Sequence, residues 1–361
     1  SQADPNLDDI LQGLKVRQNS FWYSTYRPVY LVLESAVRFL RQIEKQDYTI
    51  HDCEHGIRKY TEVIYQVDQH YRKFIYYWQE ARQNQLFQAL YDKVCRTYSN
   101  IFLQQLSRSW QNIINIMTES SREFKHHPTF FEKEVRKFID KDQRIFVIVS
   151  DAFRYEIGRE FLDKIINENR FQAELSSRIC PVPSYTQLGM AALLPHEHLT
   201  IQDGSDAVLV DGVSTQGLEA RKKIISNSAN GTAINAEDFV RFTTDEGREF
   251  VKNQKVVYIF HNLIDKTGDD KITESQVSAA VEEEMEFLIN VIKSIASYNG
   301  TNMILTSDHG FIYDHNHLHE SEFLTTSPEG KIWKKNRRFV IGQELKVEGG
   351  FVVLDGPTLG L

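Results

Sequence analysis

Three stretches of this chain end an apolar, strand-like run with an acid. Ile145-Phe146-Val147-Ile148-Val149 leads into Ser150-Asp151. Val256-Val257-Tyr258-Ile259-Phe260 leads into His261-Asn262-Leu263-Ile264-Asp265 and on to Asp269-Asp270. Met303-Ile304-Leu305-Thr306 leads into Ser307-Asp308-His309-Gly310. In open parallel α/β sheets the functional groups gather just beyond the carboxyl ends of the strands. One acid there signifies little, but three separate strand ends with carboxylates, one beside an imidazole, describe an oxygen-and-nitrogen site for divalent cations. Each segment also has a plainer reading. Asp308-His309-Gly310 suits a strand-end turn in which Asp bonds the backbone and Gly supplies positive φ. Asp265 to Asp270 suits a solvated loop before a helix, and His261 reads as a packing or hydrogen-bonding histidine rather than a ligand.

A second chemical stretch is Cys180-Pro181-Val182-Pro183-Ser184-Tyr185-Thr186-Gln187-Leu188-Gly189-Met190-Ala191-Ala192-Leu193-Leu194-Pro195, where hydroxyl residues head an apolar helical segment. Taken alone, such a hydroxyl is a routine helix cap. Beside metal-bound carboxylates it becomes a nucleophile, because a coordinated hydroxyl loses its proton more easily and backbone N–H groups at the helix start receive a phosphate or sulfate oxygen.

The elements that must position these residues change character along the chain. From Leu7 to about Phe138 apolar positions recur at helical spacing. Pro28 suits a first helical turn, with Val29, Leu33, Val37, Leu40 and Ile43 on one face. The aromatic residues Trp22, Tyr65, Tyr71, Phe74, Tyr76, Tyr77, Trp78 and Trp110 read as helix-packing core rather than as base-stacking platforms. His51 and His55 share a helical face, but no third ligand accompanies them. After the charged turn Lys141-Asp142-Gln143 the apolar runs begin, with a weaker one at Ala207-Val208-Leu209-Val210. Helices lie between them, the clearest from Glu274 to Ser297, with Thr273 and Gln276 as a capping box and Val277, Val281, Met285, Leu288, Ile292 and Ile295 as its stripe. The fold class expected is α/β: a mostly parallel sheet with helices on both faces over 141–361, preceded by an all-helical domain over 1–140. The stretch from Thr325 to Arg338 reads as an exposed loop with a basic end.

Composition agrees with a folded, non-membrane chain. Of 361 residues 41% are hydrophobic and 25% charged, and no apolar run reaches the roughly 18 residues of a membrane span. Cys53, Cys95 and Cys180 are widely spaced without a C-x-x-C pattern, which excludes a thiolate zinc framework and suits a reduced cytoplasm. The front 140 residues carry a net charge of +2 and the remainder −10. That acidity makes the rear part a poor general magnet for nucleic acid but a suitable holder of metal ions. Neither G-x-x-x-x-G-K-[ST] nor G-x-G-x-x-G follows a strand, so a nucleotide-binding α/β protein is excluded. Because the chain starts with Ser and stops shortly after the strand-like Phe351-Val352-Val353-Leu354, it is expected to be a fragment, truncated at its C-terminus.

The order of an Asp after the first strand, P-S-Y-T before a helix, D-x-x-G-D and then S-D-H-G-F resembles the PglZ domain of BREX phage-defence systems, a branch of the alkaline phosphatase superfamily. The phrases D-A-F-R-Y-E, P-S-Y-T-Q-L-G-M-A-A-L-L-P and S-D-H-G-F carry the resemblance, from about Arg144 to Phe311. It implies that Asp151, Asp308 and His309 bind one metal with Thr186 as bridging nucleophile, and that Asp265 and Asp269 bind a second. Related phosphodiesterases have an imidazole where Asp269 stands, so the site is expected to be more oxygen-rich, with zinc first and manganese or magnesium as alternatives. The pattern also calls for a last histidine, and His315, His317 and His319 follow Asp308 too closely to replace it. The implied activity is that of a metal-dependent phosphatase, phosphodiesterase or nuclease-type hydrolase in antiviral defence, acting on a nucleic acid or nucleotide phosphodiester. Implied partners are a DNA methyltransferase and ATPases. The alternative is a catalytically silent scaffold that uses the phosphatase fold for interaction.

Overall fold

The computed structural model describes residues 6–120, 129–270, 272–313, 328–336, 339–347, 351–354 and 356, with the backbone alone for Asn84 and 114–120. Its described residues form two compact units. The first gathers the described residues of Ser1–Ile116 with those of Tyr155–Glu160 and Ile312–Leu318. The second gathers those of Met117–Arg154, Phe161–Phe311 and His319–Leu361.

The first unit is helical. Its longest element, Tyr23–Lys45, packs against Tyr65–Ala81 and Asn84–Thr97. This helix begins five residues before Pro28 and is interrupted at Tyr26, where φ −107 and ψ 17 leave the helical region. Proline lacks the N–H that would bond one turn back, so the straight part starts anew at Pro28. The buried side of that part is centred on Val32, Ala36 and Phe39, while Val29, Leu33, Leu40 and Ile43 are half-buried. Two neighbouring helices cover a broad face, so the stripe read from sequence marks its flank rather than its centre. Tyr71, Phe74 and Tyr98 are fully buried and the Tyr71 and Tyr98 rings stack at 3.8 Å, so these aromatics form core. Tyr65, Tyr76, Tyr77, Trp78 and Trp110 are half-buried, and Trp22 is 58% exposed.

An ion cluster closes this unit. Arg72, with no exposed surface, donates Nε to Glu156 at 3.1 Å and Nη2 to Glu156 and Glu160 at 3.0 and 2.6 Å. The Tyr313 hydroxyl donates to Glu156 at 3.0 Å. Glu156 opens the helix Tyr155–Asn167, a few residues after Asp151, and Tyr313 follows His309 closely in the chain.

The described residues of the second unit carry nine strands: β1 (Ile145–Ser150), β2 (Leu199–Ile201), β3 (Val208–Val210), β4 (Val213–Ser214), β5 (Gly231–Asn235), β6 (Val256–His261), β7 (Met303–Thr306), β8 (Glu329–Lys335) and β9 (Val340–Lys346). The central sheet is parallel, in the order β5-β6-β1-β7. Its fold is α/β, as the alternation of runs and helices suggests. All six β1 residues are buried, which is why that segment reads as a continuous apolar run. Val147 and Val149 share a cluster with Tyr258, Phe260 and the helix Thr186–Ala192. On the opposite face, Ser150 donates to Glu284 of the helix Val277–Ser297.

Several elements differ from expectation. The fourth parallel strand, β5, begins with glycine and has too little β-branched character to stand out, while the weak run at Val208 joins a separate antiparallel sheet with β2 and β4. The stripe from Val277 to Ile295 is buried as read, but Thr273 is no cap. Its hydroxyl donates to the Thr267 carbonyl at 2.9 Å, and a short 3-10 turn precedes the helix. The capping box lies instead at Thr243 and Glu246. The supposed basic loop is in part a hairpin, β8 with β9, and Lys334 pairs with Asp206 at 2.8 Å. Residues 325–327, 337 and 338, with His315, His317 and His319, lie outside the described residues. Phe351–Leu354 forms no strand.

Replacing Arg72 by alanine leaves Glu156 buried without its cation, which should lower the unfolding free energy by about 3–5 kcal/mol. Urea titration of the chain measures this, and adding Glu156→Gln to Arg72→Ala should recover part of the loss.

Candidate metal centre

The site is assembled at the carboxyl ends of β1, β6 and β7. Asp151 continues β1, its N–H donating to the His261 carbonyl at 2.9 Å. The chain then turns sharply, because Ala152 adopts φ +63, a left-handed conformation uncommon for a residue with a Cβ. That turn brings the Ala152 N–H to Asp308 Oδ1 at 3.2 Å, so β1 holds the β7 acid in place. The turn after β7 is closed by the Ser307 hydroxyl, which donates to the His309 carbonyl at 2.8 Å. Gly310 is not at positive φ, so the simple turn reading of Asp308-His309-Gly310 does not describe it. Asp308 bonds the backbone of another strand end rather than its own turn.

His309 Nδ1 lies 3.1 Å from the Gly310 carbonyl, which can only accept, so Nδ1 donates there and Nε2 is left facing the acids. Around that nitrogen stand Asp151 Oδ1 at 3.5 Å, Asp308 Oδ2 at 3.5 Å and Asp265 Oδ1 at 3.7 Å. Thr186 Oγ1 lies 3.0 Å from the same nitrogen. Thr186 is the first residue of its helix, and Tyr185 occupies the cap position without a side-chain bond. The hydroxyl is therefore directed at the acid cluster instead of capping the helix. Gly189 lets this helix lie against the β7 end, since a Cβ there would meet the Asp308 carbonyl oxygen.

Among the described residues, Asp151, Asp265 and His309 form the one trio whose ligand atoms all lie within 4.8 Å of one another. Asp308 is not in that trio, although its Oδ2 lies 3.5 Å from His309 Nε2. Asp269 does not join them. It ends the short helix Ile264–Asp269, exposed, and four residues of helix carry it about 6 Å along the axis from Asp265. His261 is a packing residue, stacked on Phe287 at 4.3 Å with its Nδ1 2.5 Å from Glu284. His51 and His55 stack on each other at 4.9 Å without a third ligand.

The residues fit a divalent cation. Asp151 Oδ1 and Asp308 Oδ2 are buried and lack a hydrogen-bond partner among the described residues, an expensive state for charged oxygens. Burial first, and then the Asp308 and Asp265 carboxylates, push Asp151 up to about 10. A bound cation supplies the positive charge that would let these groups ionise together.

Arg221, in the helix Gly217–Ala229, is a neighbour that the sequence reading missed. Its guanidinium lies over the Phe260 ring at 5.0 Å, and Nε donates to the Thr215 carbonyl at 3.1 Å. Within the run Arg221-Lys222-Lys223 nothing in the sequence separates it from a solvated basic face.

Residues 130–360 match the family described as the BREX system PglZ alkaline phosphatase-like domain. The chain is 35% identical over 354 residues to the alkaline phosphatase-like protein BrxZ of Escherichia coli O9:H4 (strain HS), covering 93% of this chain and 40% of that protein. It is 30% identical over 348 residues to the alkaline phosphatase-like protein PglZ of Bacillus cereus (strain H3081.97), covering 92% and 40%. The chain thus spans about two fifths of the length of these relatives.

The raised Asp151 pKa sets a pH dependence. The folded state keeps a proton that the unfolded chain releases near 3.8, so this contribution to stability is complete below that value and is lost as pH rises toward about 10. Thermal melts of the EDTA-treated chain should therefore show a falling midpoint from pH 5 to pH 9. Asp151→Asn should flatten that slope, and added manganese or zinc should raise the midpoint at pH 8 in the unaltered chain more than in the variant.

Proposed function

We propose, from the premise that this chain belongs to the BREX system PglZ alkaline phosphatase-like family, that its strand ends form a divalent-cation site for phosphoric ester hydrolysis with Thr186 as nucleophile. The observation that supports this best is the meeting of Asp151, Asp265, Asp308 and His309 Nε2 with the Thr186 hydroxyl, 3.0 Å from that nitrogen. These four side chains would hold the cation. Three carboxylates and one imidazole make an oxygen-rich set that suits manganese or magnesium as well as zinc. When bound, the cation supplies charge that keeps the carboxylates ionised, eases proton loss from Thr186 and offsets charge on the phosphoryl oxygens.

The chain's own residues do the rest. The Thr186 oxygen forms a bond to phosphorus while the bond to the ester alcohol breaks, and the alcohol leaves with the hydroxyl proton. Water then cleaves the Thr–O–P bond, restoring the hydroxyl and releasing the phosphate. Ala152 and Gly310 hold Asp308 and His309 in register for this, and the helix starting at Thr186 presents the nucleophile.

With Asp269 outside the cluster, one cation is assigned to the described residues. That same observation favours the rival reading, a silent scaffold with an incomplete site. Against it stand the two buried carboxylate oxygens without partners, which a scaffold has no reason to retain. A phosphodiester of a nucleic acid or nucleotide is the substrate class proposed, and a DNA methyltransferase and ATPases of the same system are the proposed partners. No helix among the described residues is long and apolar enough to cross a membrane, and a cytoplasmic setting suits the three free cysteines.

Metal binding and bis-(p-nitrophenyl) phosphate hydrolysis test the reading directly. Asp308→Ala should abolish tight metal binding, whereas Thr186→Ala should keep the metal and lower hydrolysis by about 100-fold or more. Failure of the unaltered chain to bind zinc, manganese or magnesium would leave the scaffold.

A further inference from the structure

We propose that Arg221 is an oxyanion-binding group beside the cluster, taking a phosphoryl oxygen of the anion received there; the inference rests on the cation-site reading above. Two restraints orient its guanidinium. Its Cζ lies over the Phe260 ring, 5.0 Å from the centroid, and Nε–H donates to the Thr215 carbonyl at 3.1 Å. Thr215 is itself immobile, fully buried and bonded through its hydroxyl to the Val208 carbonyl at 2.8 Å. An arginine tethered at Nε keeps both terminal nitrogens for a ligand, and that fork matches the spacing of two phosphate oxygens.

The register places this fork beside the site. Phe260 pairs with Val149, two residues before Asp151, so by strand periodicity Val149 and Asp151 share a face. Phe260 and Val149 belong to one buried cluster with Leu188 and Met190 of the helix that begins at Thr186. Arg221 therefore lies on the nucleophile's side of the sheet, one strand from Asp151. The Asp151 and Asp308 carboxylates act on it electrostatically, opposing the effect of its burial.

Yet among the described residues no carboxylate comes within ion-pair distance of Arg221, and its terminal nitrogens make no hydrogen bond. A half-buried guanidinium within the field of Asp151 and Asp308 would ordinarily close onto one of them. A fork held back by its tether leaves room for an anion between itself and a cation on the acids. A purely structural counter-charge would behave differently. Removing it would alter cation affinity and leave anion binding unchanged.

Calorimetric titration of the chain with inorganic orthophosphate, in saturating manganese and again without metal, separates these cases. Arg221→Met should keep its thermal midpoint and still load manganese, while the phosphate affinity of the manganese-saturated chain falls about tenfold or more, with Arg221→Lys intermediate. Sulfate should compete with phosphate in the unaltered chain. Phosphate binding to Arg221→Met as tight as to the unaltered chain overturns the proposal, as does a manganese-loaded chain that binds no phosphate. If the chain takes up no manganese, the cation-site reading falls by itself, and the metal-free titration still decides whether phosphate binding depends on Arg221.

Discussion

Acidic side chains gathered in a water-poor place repel one another, and the α/β unit is arranged around that conflict. Asp151 and Asp308 are each 2% exposed, and Asp265 faces the same imidazole nitrogen. In a medium of low polarity such carboxylates cannot all be ionised without a compensating positive charge. Arg221 acts on Asp151 and Asp308 electrostatically without pairing, and His309 turns Nε2 toward the acids. A divalent cation at the Asp151, Asp265 and His309 donor atoms would supply the compensating charge.

Holding such a cluster together requires a stiff frame. The strand β1, hydrogen-bonded on both sides and buried along its whole length, supplies it. On one face its end bears Asp151. On the other, Ser150 donates to Glu284 at 2.6 Å, and Glu284 stands 2.5 Å from His261 at the end of β6. One buried carboxylate thus accepts a hydrogen bond from the β1 end and faces the imidazole at the β6 end from behind, while the site acids leave from the front. The left-handed turn at Ala152 and the missing side chain at Gly189 allow the final approach, the first to Asp308 Oδ1 and the second to the Asp308 backbone.

The helical unit uses the same physics to a different end. Arg72 and Glu156 are buried as fully as the acid cluster, but Arg72 and Lys73 offset the charges of Glu156 and Glu160 within the protein and Glu156 is hydrogen-bonded. Comparing the two clusters shows why burial alone does not mark a functional site. What separates them is that one is complete and the other has oxygens without partners.

The sequence by itself determined the strands whose both faces are buried, since continuous β-branched runs such as Ile145–Val149 have few other uses. It also located the acids Asp151, Asp265 and Asp308 with His309, because strand ends are where a parallel sheet presents chemistry. It showed Thr186 at a helix start but left open whether the hydroxyl capped that helix. Only the tertiary structure decided that, by carrying His309 to within 3.0 Å of it from 123 residues away. The tertiary structure likewise left Asp269 outside, although its type and spacing resemble those of a ligand, and brought in Arg221, whose local sequence is that of an ordinary basic surface. Backbone periodicity and strand ends are properties of neighbouring residues and can be read along a chain. Which side chains share a few ångströms depends on how distant segments pack, and local sequence does not contain that information.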